Sequence, residues 1–206
     1  MEFSSKLIKD AVEAFCTLPG VGRKTALRMV MHLIQEEEER VLHFTHSVEK
    51  LRNEIRFCAS CNNVSDGEYC SICLDASRNN QLICVVENFR DVISIESTQQ
   101  YNGKYFVLGN LLSPLDGIGP EQIPFSQLLA KVEEDEVQEL VMALSPNLQG
   151  DTTVFYISKL LRDYPVEISG IARGVSFGTE LEYTDVFTLG KAISKRLPVK
   201  KYIDNI

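Results

Sequence analysis

The sequence contains no apolar run that approaches the roughly 20 residues needed to cross a bilayer. Its first ten residues, MEFSSKLIKD, carry polar and charged side chains where a signal peptide needs an unbroken apolar stretch. It also has no internal repeat and no low-complexity tract. We therefore expect a globular, cytoplasmic protein with no membrane partner, whose 206 residues can bury one core or two small ones.

The chain has no excess of positive charge, because 21 Lys and Arg face 29 Asp and Glu, giving a net charge of -8. This balance argues against a protein coated in positive potential, so any contact with nucleic acid needs a local basic patch. Residues 1–31 supply a candidate, since they carry five basic and three acidic side chains. The acidic runs 36–39 and 133–136 are interpreted as solvated helix faces.

Four of the six cysteines crowd into one short segment. In a chain with no export signal, this clustering favours metal ligation over a disulfide framework. The four form two Cys-x-x-Cys pairs separated by eight residues, and two such pairs can complete an all-sulfur tetrahedral site. We predict one structural zinc ion per chain, iron being the lesser alternative. Its predicted ligands are Cys58, Cys61, Cys70 and Cys73. Cys16 and Cys84 lie in apolar patterns and are interpreted as small core residues.

Hydrophobic periodicity predicts a helical first third followed by an α/β domain. Apolar residues recur at helical spacing over residues 4–16, from 23 to 34 and from 41 to 55. After the cysteines, candidate strands at 82–86, 105–108, 140–144 and 166–171 alternate with candidate helices at 89–97, 125–131 and 152–161. This alternation predicts a mainly parallel sheet. The breaker-rich segment 111–124 is predicted to be a structured surface loop.

A glycine-containing turn joins the first two predicted helices, where residues 18–26 read LPGVGRKTA. Gly20 and Gly22 let the backbone turn tightly and approach a partner, and the next helix presents amides that can bind a phosphate. Lys24 and Arg28 lie four residues apart on one helix face, where they can follow a DNA backbone without reading bases. We expect Arg23 to be a secondary contact to the DNA backbone. The pattern indicates a helix-hairpin-helix, with a plain helix–helix connection as the alternative.

Two acidic residues follow predicted strands. Glu87 comes directly after the strand 82–86, and Asp151 follows the strand 140–144 by a short loop. Because the carboxyl ends of parallel strands share one edge of a sheet, both are expected at the edge where ligand sites form. The pattern resembles the Toprim fold, in which topoisomerases and primases hold magnesium with a glutamate after one strand and an Asp-x-Asp after another. Acids on solvated loops are an equal alternative.

The order of hairpin, four-cysteine module and Toprim-like domain resembles the RecR family of bacterial recombination mediators. Further strings carry the resemblance: YFVLG at 105–109 with LSPLDGIGP at 112–120, and IARGV at 171–175 with ELEY at 180–183. The expected division is a helix-hairpin-helix region at 1–55, a zinc finger at 56–78, a Toprim-like domain at 79–177 and a C-terminal extension at 178–206.

The resemblance implies a non-catalytic protein of DNA recombination and repair. Such a protein binds DNA without sequence preference, at gaps or at junctions of single and double strands, and is associated with the nucleoid. The resemblance also implies a homo-oligomer, from a dimer to a ring-shaped tetramer, in which Lys24 and Arg28 face the DNA. RecO-like and RecF-like proteins are the implied partners, and the implied task is loading recombinase onto DNA coated with single-strand-binding protein.

One string departs from the family pattern. Where the family usually has an Asn-Pro-x-x-Glu-Gly-Glu-like string, residues 145–151 read SPNLQGD. Gln149 offers magnesium a neutral amide instead of a carboxylate, which argues against a metal role for this domain. The alternative function, a magnesium-dependent Toprim nuclease or primase, is further disfavoured because no nucleophile is evident. We expect no enzymatic activity. A second alternative is a pure protein-interaction module with a dominant acidic surface.

Overall fold

The structure is a computed structural model that describes residues 5–176, 178–196 and 198. The chain forms two compact units, one up to Ile55 and the other from Arg56 onward. None of the helices in the described residues is long and apolar enough to span a membrane. The four-part division expected from the sequence stays a prediction at its finer boundaries.

The first unit is helical, as the periodicity predicts. Helices α1 and α2 pack against each other around a buried core of three small side chains. The first helix begins at a Ser5 side chain that accepts a hydrogen bond from the Ile8 amide. Helix α3 begins earlier than predicted and has no buried residue. The helices are α1 (Lys6–Cys16), α2 (Arg23–Gln35) and α3 (Glu38–Glu54).

One interpretation of a side chain in this unit is wrong, and another holds only in part. Cys16 is exposed instead of lying in the core, because it is the last residue of α1 and points away from the packed face. The acidic run 36–39 is a solvated helix face only in part, since Glu38 and Glu39 are exposed in the first turn of α3, whereas Glu36 follows α2 and Glu37 precedes α3. The Glu36 carboxylate accepts a hydrogen bond from Arg40 at 3.1 Å, which leaves its side chain only 25% exposed.

The second unit contains a short hairpin and a parallel sheet. The hairpin pairs β1 (Arg56–Phe57) with β2 (Val64–Ser65) and is followed by the one-turn helix α4 (Ser71–Leu74). The four-stranded sheet has the order β4-β3-β5-β6, and every neighbouring pair is parallel. Its strands are β3 (Asn79–Val86), β4 (Gly103–Val107), β5 (Glu139–Ala143) and β6 (Glu167–Gly170). All four predicted strands and the α/β class are confirmed.

Helices follow the strands as a parallel sheet requires. Three of them overlap the predicted helices, whereas the last, in the C-terminal extension, was not predicted. They are α5 (Phe89–Ser97), α6 (Phe125–Glu134), α7 (Leu148–Leu160) and α8 (Val186–Ser194). The acidic run 133–136 covers the end of α6 and the turn after it, where Glu136 has a left-handed φ of 49°. Glu133 and Glu134 are therefore exposed on the last turn of α6, as interpreted from the sequence, whereas Asp135 and Glu136 follow the helix.

The sheet is buried on both faces, which explains the continuous apolar run of β3. Ile83 and Val85 belong to the larger core cluster, whereas Cys84 and Val86 belong to the smaller cluster on the other face. Cys84 is therefore a core residue, as the sequence predicts. The loop 111–124 is structured, as expected, and the Leu112 amide donates to Thr153 Oγ1 at 2.9 Å.

Candidate nucleic-acid interface and metal centre

The turn between α1 and α2 has the conformation of a tight hairpin. Gly20 adopts a φ of 78°, a left-handed conformation that favours glycine. The Val21 amide donates to the Leu18 carbonyl at 3.1 Å, closing the turn, and the Val21 side chain packs against the core that α1 and α2 share. The hairpin is thus fixed by a backbone bond and by one apolar anchor.

The amino end of α2 carries no side-chain cap. Gly22 is the residue before the helix, and it offers no oxygen to the first amides of α2. Helices α3 and α6 also lack such a cap, whereas in α1, α5, α7 and α8 a Ser, Asn or Asp side chain accepts one of these amides. A Cβ at Gly22 would meet no atom within 4 Å, so the side-chain position of Gly22 faces open space. Such an uncapped end can receive a phosphate oxygen.

Three exposed cations follow this end. Arg23, Lys24 and Arg28 are all solvent-exposed, and within the described residues none of them forms an ion pair. Lys24 and Arg28 lie one turn apart on the same side of α2. An anion at the helix end would therefore meet cations whose charge is not already neutralised by a neighbour.

The four clustered cysteines form a metal site. Their sulfur atoms all lie within 4.8 Å of one another, and the Sγ atoms of Cys61 and Cys70 are 3.6 Å apart. Tetrahedral zinc with Zn–S bonds of about 2.3 Å separates its sulfur ligands by about 3.8 Å, so the arrangement fits this ion. The Cys70 amide donates to Cys58 Sγ at 3.3 Å, a bond that stabilises a thiolate.

The environment of the four sulfur atoms favours a bound cation. The neighbouring Cys70 and Cys73 sulfurs, together with burial, raise the pKa of the Cys61 thiol far above its usual range. Four sulfurs this close ionise together only around a positive ion. Cys58, Cys61 and Cys70 are buried and Cys73 is half-buried, and with four protein ligands no position is left for a reacting water. The protein therefore has one structural zinc site.

The zinc module is hydrogen-bonded to the edge strand of the sheet. The Val107 amide donates to the Cys61 carbonyl at 2.9 Å, and the Asn62 side-chain amide donates to the Val107 carbonyl at 2.8 Å. The buried ammonium of Lys131 contacts Ser60 Oγ at 2.8 Å and Asp135 at 2.7 Å. Sequence reasoning missed these contacts. The one available signal was an asparagine directly after a cysteine, since asparagine tolerates the left-handed φ of 59° found at Asn62.

The carboxyl ends of the strands hold the two acidic residues singled out in the sequence. Glu87 follows β3 and accepts a hydrogen bond from Ser145 Oγ at 3.3 Å. Asp151 lies in the first turn of α7 and pairs with Arg173, at 2.6 Å between Oδ1 and Nη2. Neither belongs to a group of three or more close metal-ligating side chains in the residues that the structure describes.

Basic side chains surround Asp151. Its hydrogen bond with Arg173 lowers the pKa of the Asp151 carboxyl below its usual value, and Lys191 and Lys195 lower it further. Arg173 follows β6, and the two lysines belong to α8 and its carboxyl end. The sequence did not predict a role for these three cations. An arginine directly after a strand, in the string IARGV, was the available signal.

Four segments of the chain match known domain families. A RecR helix-hairpin-helix matches residues 8–51, and a RecR four-cysteine zinc finger domain matches residues 55–75. A Toprim domain matches residues 81–172, and a RecR C-terminal segment matches residues 174–196. The matched segments follow one another in the order that the sequence motifs indicate.

Full-length relatives agree with these matches. The chain is 49% identical to the recombination protein RecR of Amoebophilus asiaticus, over 96% of this chain and 98% of the relative. It is 48% identical to the recombination protein RecR of Flavobacterium johnsoniae over the full length of both. The recombination protein RecR of Phocaeicola vulgatus is 48% identical over 95% of each chain. The chain therefore belongs to the RecR family of recombination proteins.

Proposed function

We propose that this protein is a non-catalytic, DNA-binding mediator of recombinational repair. In this proposal it helps RecO-like and RecF-like proteins load recombinase onto gapped DNA coated with single-strand-binding protein. Membership of the RecR family supports the role in recombination. The observation that carries DNA binding is the uncapped end of α2 beside Lys24 and Arg28.

DNA binding at this end needs no sequence recognition. The α2 amides and the neighbouring cations are groups that contact phosphates, and phosphate contacts position a protein without reading bases. Gly20 and Gly22 let the backbone come close to the DNA. Lys24 and Arg28 are the principal phosphate contacts, and Arg23 is a secondary one. Because the whole chain is acidic, binding depends on this patch and weakens as salt screens it.

The test is binding of the full-length protein to gapped duplex over a salt series. For Lys24→Glu with Arg28→Glu, we expect at least about tenfold weaker binding and a salt slope lower by about two, because two phosphate contacts are lost. The matched control is Lys159→Glu with Arg162→Glu, which makes the same charge change on exposed residues at the end of α7 and just after it. Equal affinity of the hairpin variant and the unchanged protein would show that DNA binds elsewhere.

An enzyme is the competing candidate, because the Toprim match is shared with magnesium-dependent proteins. Gln149 supplies no charge to a metal, and Asp151 is already paired with Arg173. We expect no cleavage or synthesis on single-stranded, gapped or supercoiled DNA in magnesium or manganese. Turnover that disappeared in Glu87→Gln would reverse this assignment. Without such turnover, Glu87 is assigned to partner docking or to stability.

A further inference from the structure

A cleft of about 280 Å³ opens at the carboxyl edge of the sheet. Its walls come from the ends of β5 and β6 and from α8. The lining combines apolar and basic side chains, including Leu144, Pro146, Ile171, Arg173, Phe187 and Lys191. The Lys191 ammonium lies 4.5 Å from the centre of the Phe187 ring, a contact that holds the ammonium beside the aromatic wall.

The charge beside the cleft is positive. Arg173 pairs with Asp151, and Lys191 and Lys195 both act electrostatically on the same carboxylate. Three cations thus act on one anion, and two of them, Arg173 and Lys191, line the cleft. In other Toprim proteins this edge holds a magnesium ion with several carboxylates. Here a divalent cation would be repelled by the three basic side chains, whereas an anion would be attracted.

We propose that this cleft binds a phosphate group directly through Arg173 and Lys191, which line it, with Lys195 adding positive charge nearby and without a magnesium ion. Arginine and lysine are both suited to phosphate, the first through its planar fork of donors and the second as a point charge. Asp151 holds Arg173 at the edge of the cleft and partly offsets its charge. The phosphate source is a DNA strand or a free phosphate compound. This site is independent of the hairpin and does not rest on the contacts of Lys24 and Arg28.

The experiment uses the full-length, zinc-loaded protein carrying Lys24→Glu and Arg28→Glu, so that the hairpin does not contribute. Calorimetry without magnesium measures binding of two probes, pyrophosphate and a short oligothymidylate. Lys191→Gln with Lys195→Gln is expected to weaken binding about tenfold, because two attractive charges are lost. Lys159→Gln is the control for a removed charge, since it is exposed on α7 and does not line the cleft.

Asp151→Asn gives the sharpest result, because it should tighten binding. Removing the carboxylate releases Arg173 and removes a repulsive charge, so we expect about threefold higher affinity for either probe. Loss of folding could only weaken binding, and a magnesium site would also lose affinity. If the oligonucleotide binds and pyrophosphate does not, the phosphate group belongs to a DNA strand. If pyrophosphate binds, the cleft accepts free phosphate compounds. Failure of both probes to bind, or weaker binding in Asp151→Asn, would overturn the proposal.

Discussion

Among the glycines in the described part of the chain, Gly150 leaves the least room for a side chain. A Cβ built at this position would lie 1.9 Å from the Ser145 carbonyl oxygen, a backbone atom that cannot swing aside. The Gly150 amide also donates to the Asn147 side chain at 2.8 Å, a bond that starts α7. The close approach explains why glycine follows Gln149 in the string SPNLQGD.

We expect Gly150→Ala to lower the free energy of unfolding by about 3 kcal/mol, because the start of α7 must move away from Ser145. Urea unfolding measures the loss. Gly174→Ala is the matched control, since a Cβ at Gly174 would meet no atom within 4 Å. Similar stabilities for the two variants would contradict this steric account.

The candidate site was predictable only in part, and single residues show why. The cysteine ligands could be identified because their spacing along the chain encodes the metal geometry. The charged partner of Asp151 could not, because Arg173 lies 22 positions away and meets it only through the fold. Cys16 was misplaced because it lies at the end of α1, where an apolar pattern no longer fixes which residues are buried.

Between elements, the zinc module takes the place of a neighbouring strand at the end of β4. Both backbone groups of Val107 are hydrogen-bonded to it, the amide to the Cys61 carbonyl and the carbonyl to the Asn62 side chain. An unpaired strand edge is a template for aggregation, and these two bonds cover part of it. Zinc binding is therefore coupled to the stability of the four-stranded sheet as well as to that of the small β1–β2 hairpin.

Asn62→Ala should lower the free energy of unfolding by about 1–2 kcal/mol, because Val107 loses a partner and alanine disfavours the left-handed conformation. Removal of zinc by a chelator should lower the melting temperature of the sheet by more than the variant does. Thermal unfolding followed by circular dichroism tests both. Asn102→Ala is the control, since its side chain makes only an exposed 3.4 Å bond. A sheet that melted unchanged after chelation would refute the coupling.

The elements that could be predicted are those with a strong apolar pattern. Strands β3, β4 and β5 contain buried apolar runs, which identify them directly, whereas β6 has no buried residue. The strands β1 and β2 have only two residues each, too few for any periodicity. Helix α8 was not predicted, and it has Gly190 in its interior, a residue that disfavours a helix.

For the molecule as a whole, an acidic chain that binds DNA must concentrate basic side chains at the DNA contact. In a closed oligomer, the hairpins of several chains can gather Lys24 and Arg28 around one opening. Distant acidic side chains are then screened beyond a Debye length of about 10 Å. The apolar surface of the first unit supports such an assembly, because α3 buries no residue although Phe44, Val48 and Leu51 are apolar and 45–62% exposed.

We predict a homo-oligomer, from a dimer to a four-membered ring, in which a second copy covers this face of α3. Light scattering at tens of micromolar should give a multiple of the 23.2 kDa chain mass. Val48→Glu with Leu51→Glu should lower that mass, because buried carboxylates oppose an apolar contact. It should also weaken DNA binding without changing the hairpin itself. The control is Lys50→Gln, which alters an exposed charge between them. A single-chain mass for the unchanged protein would contradict the assembly, since one copy alone would leave the apolar face of α3 in water.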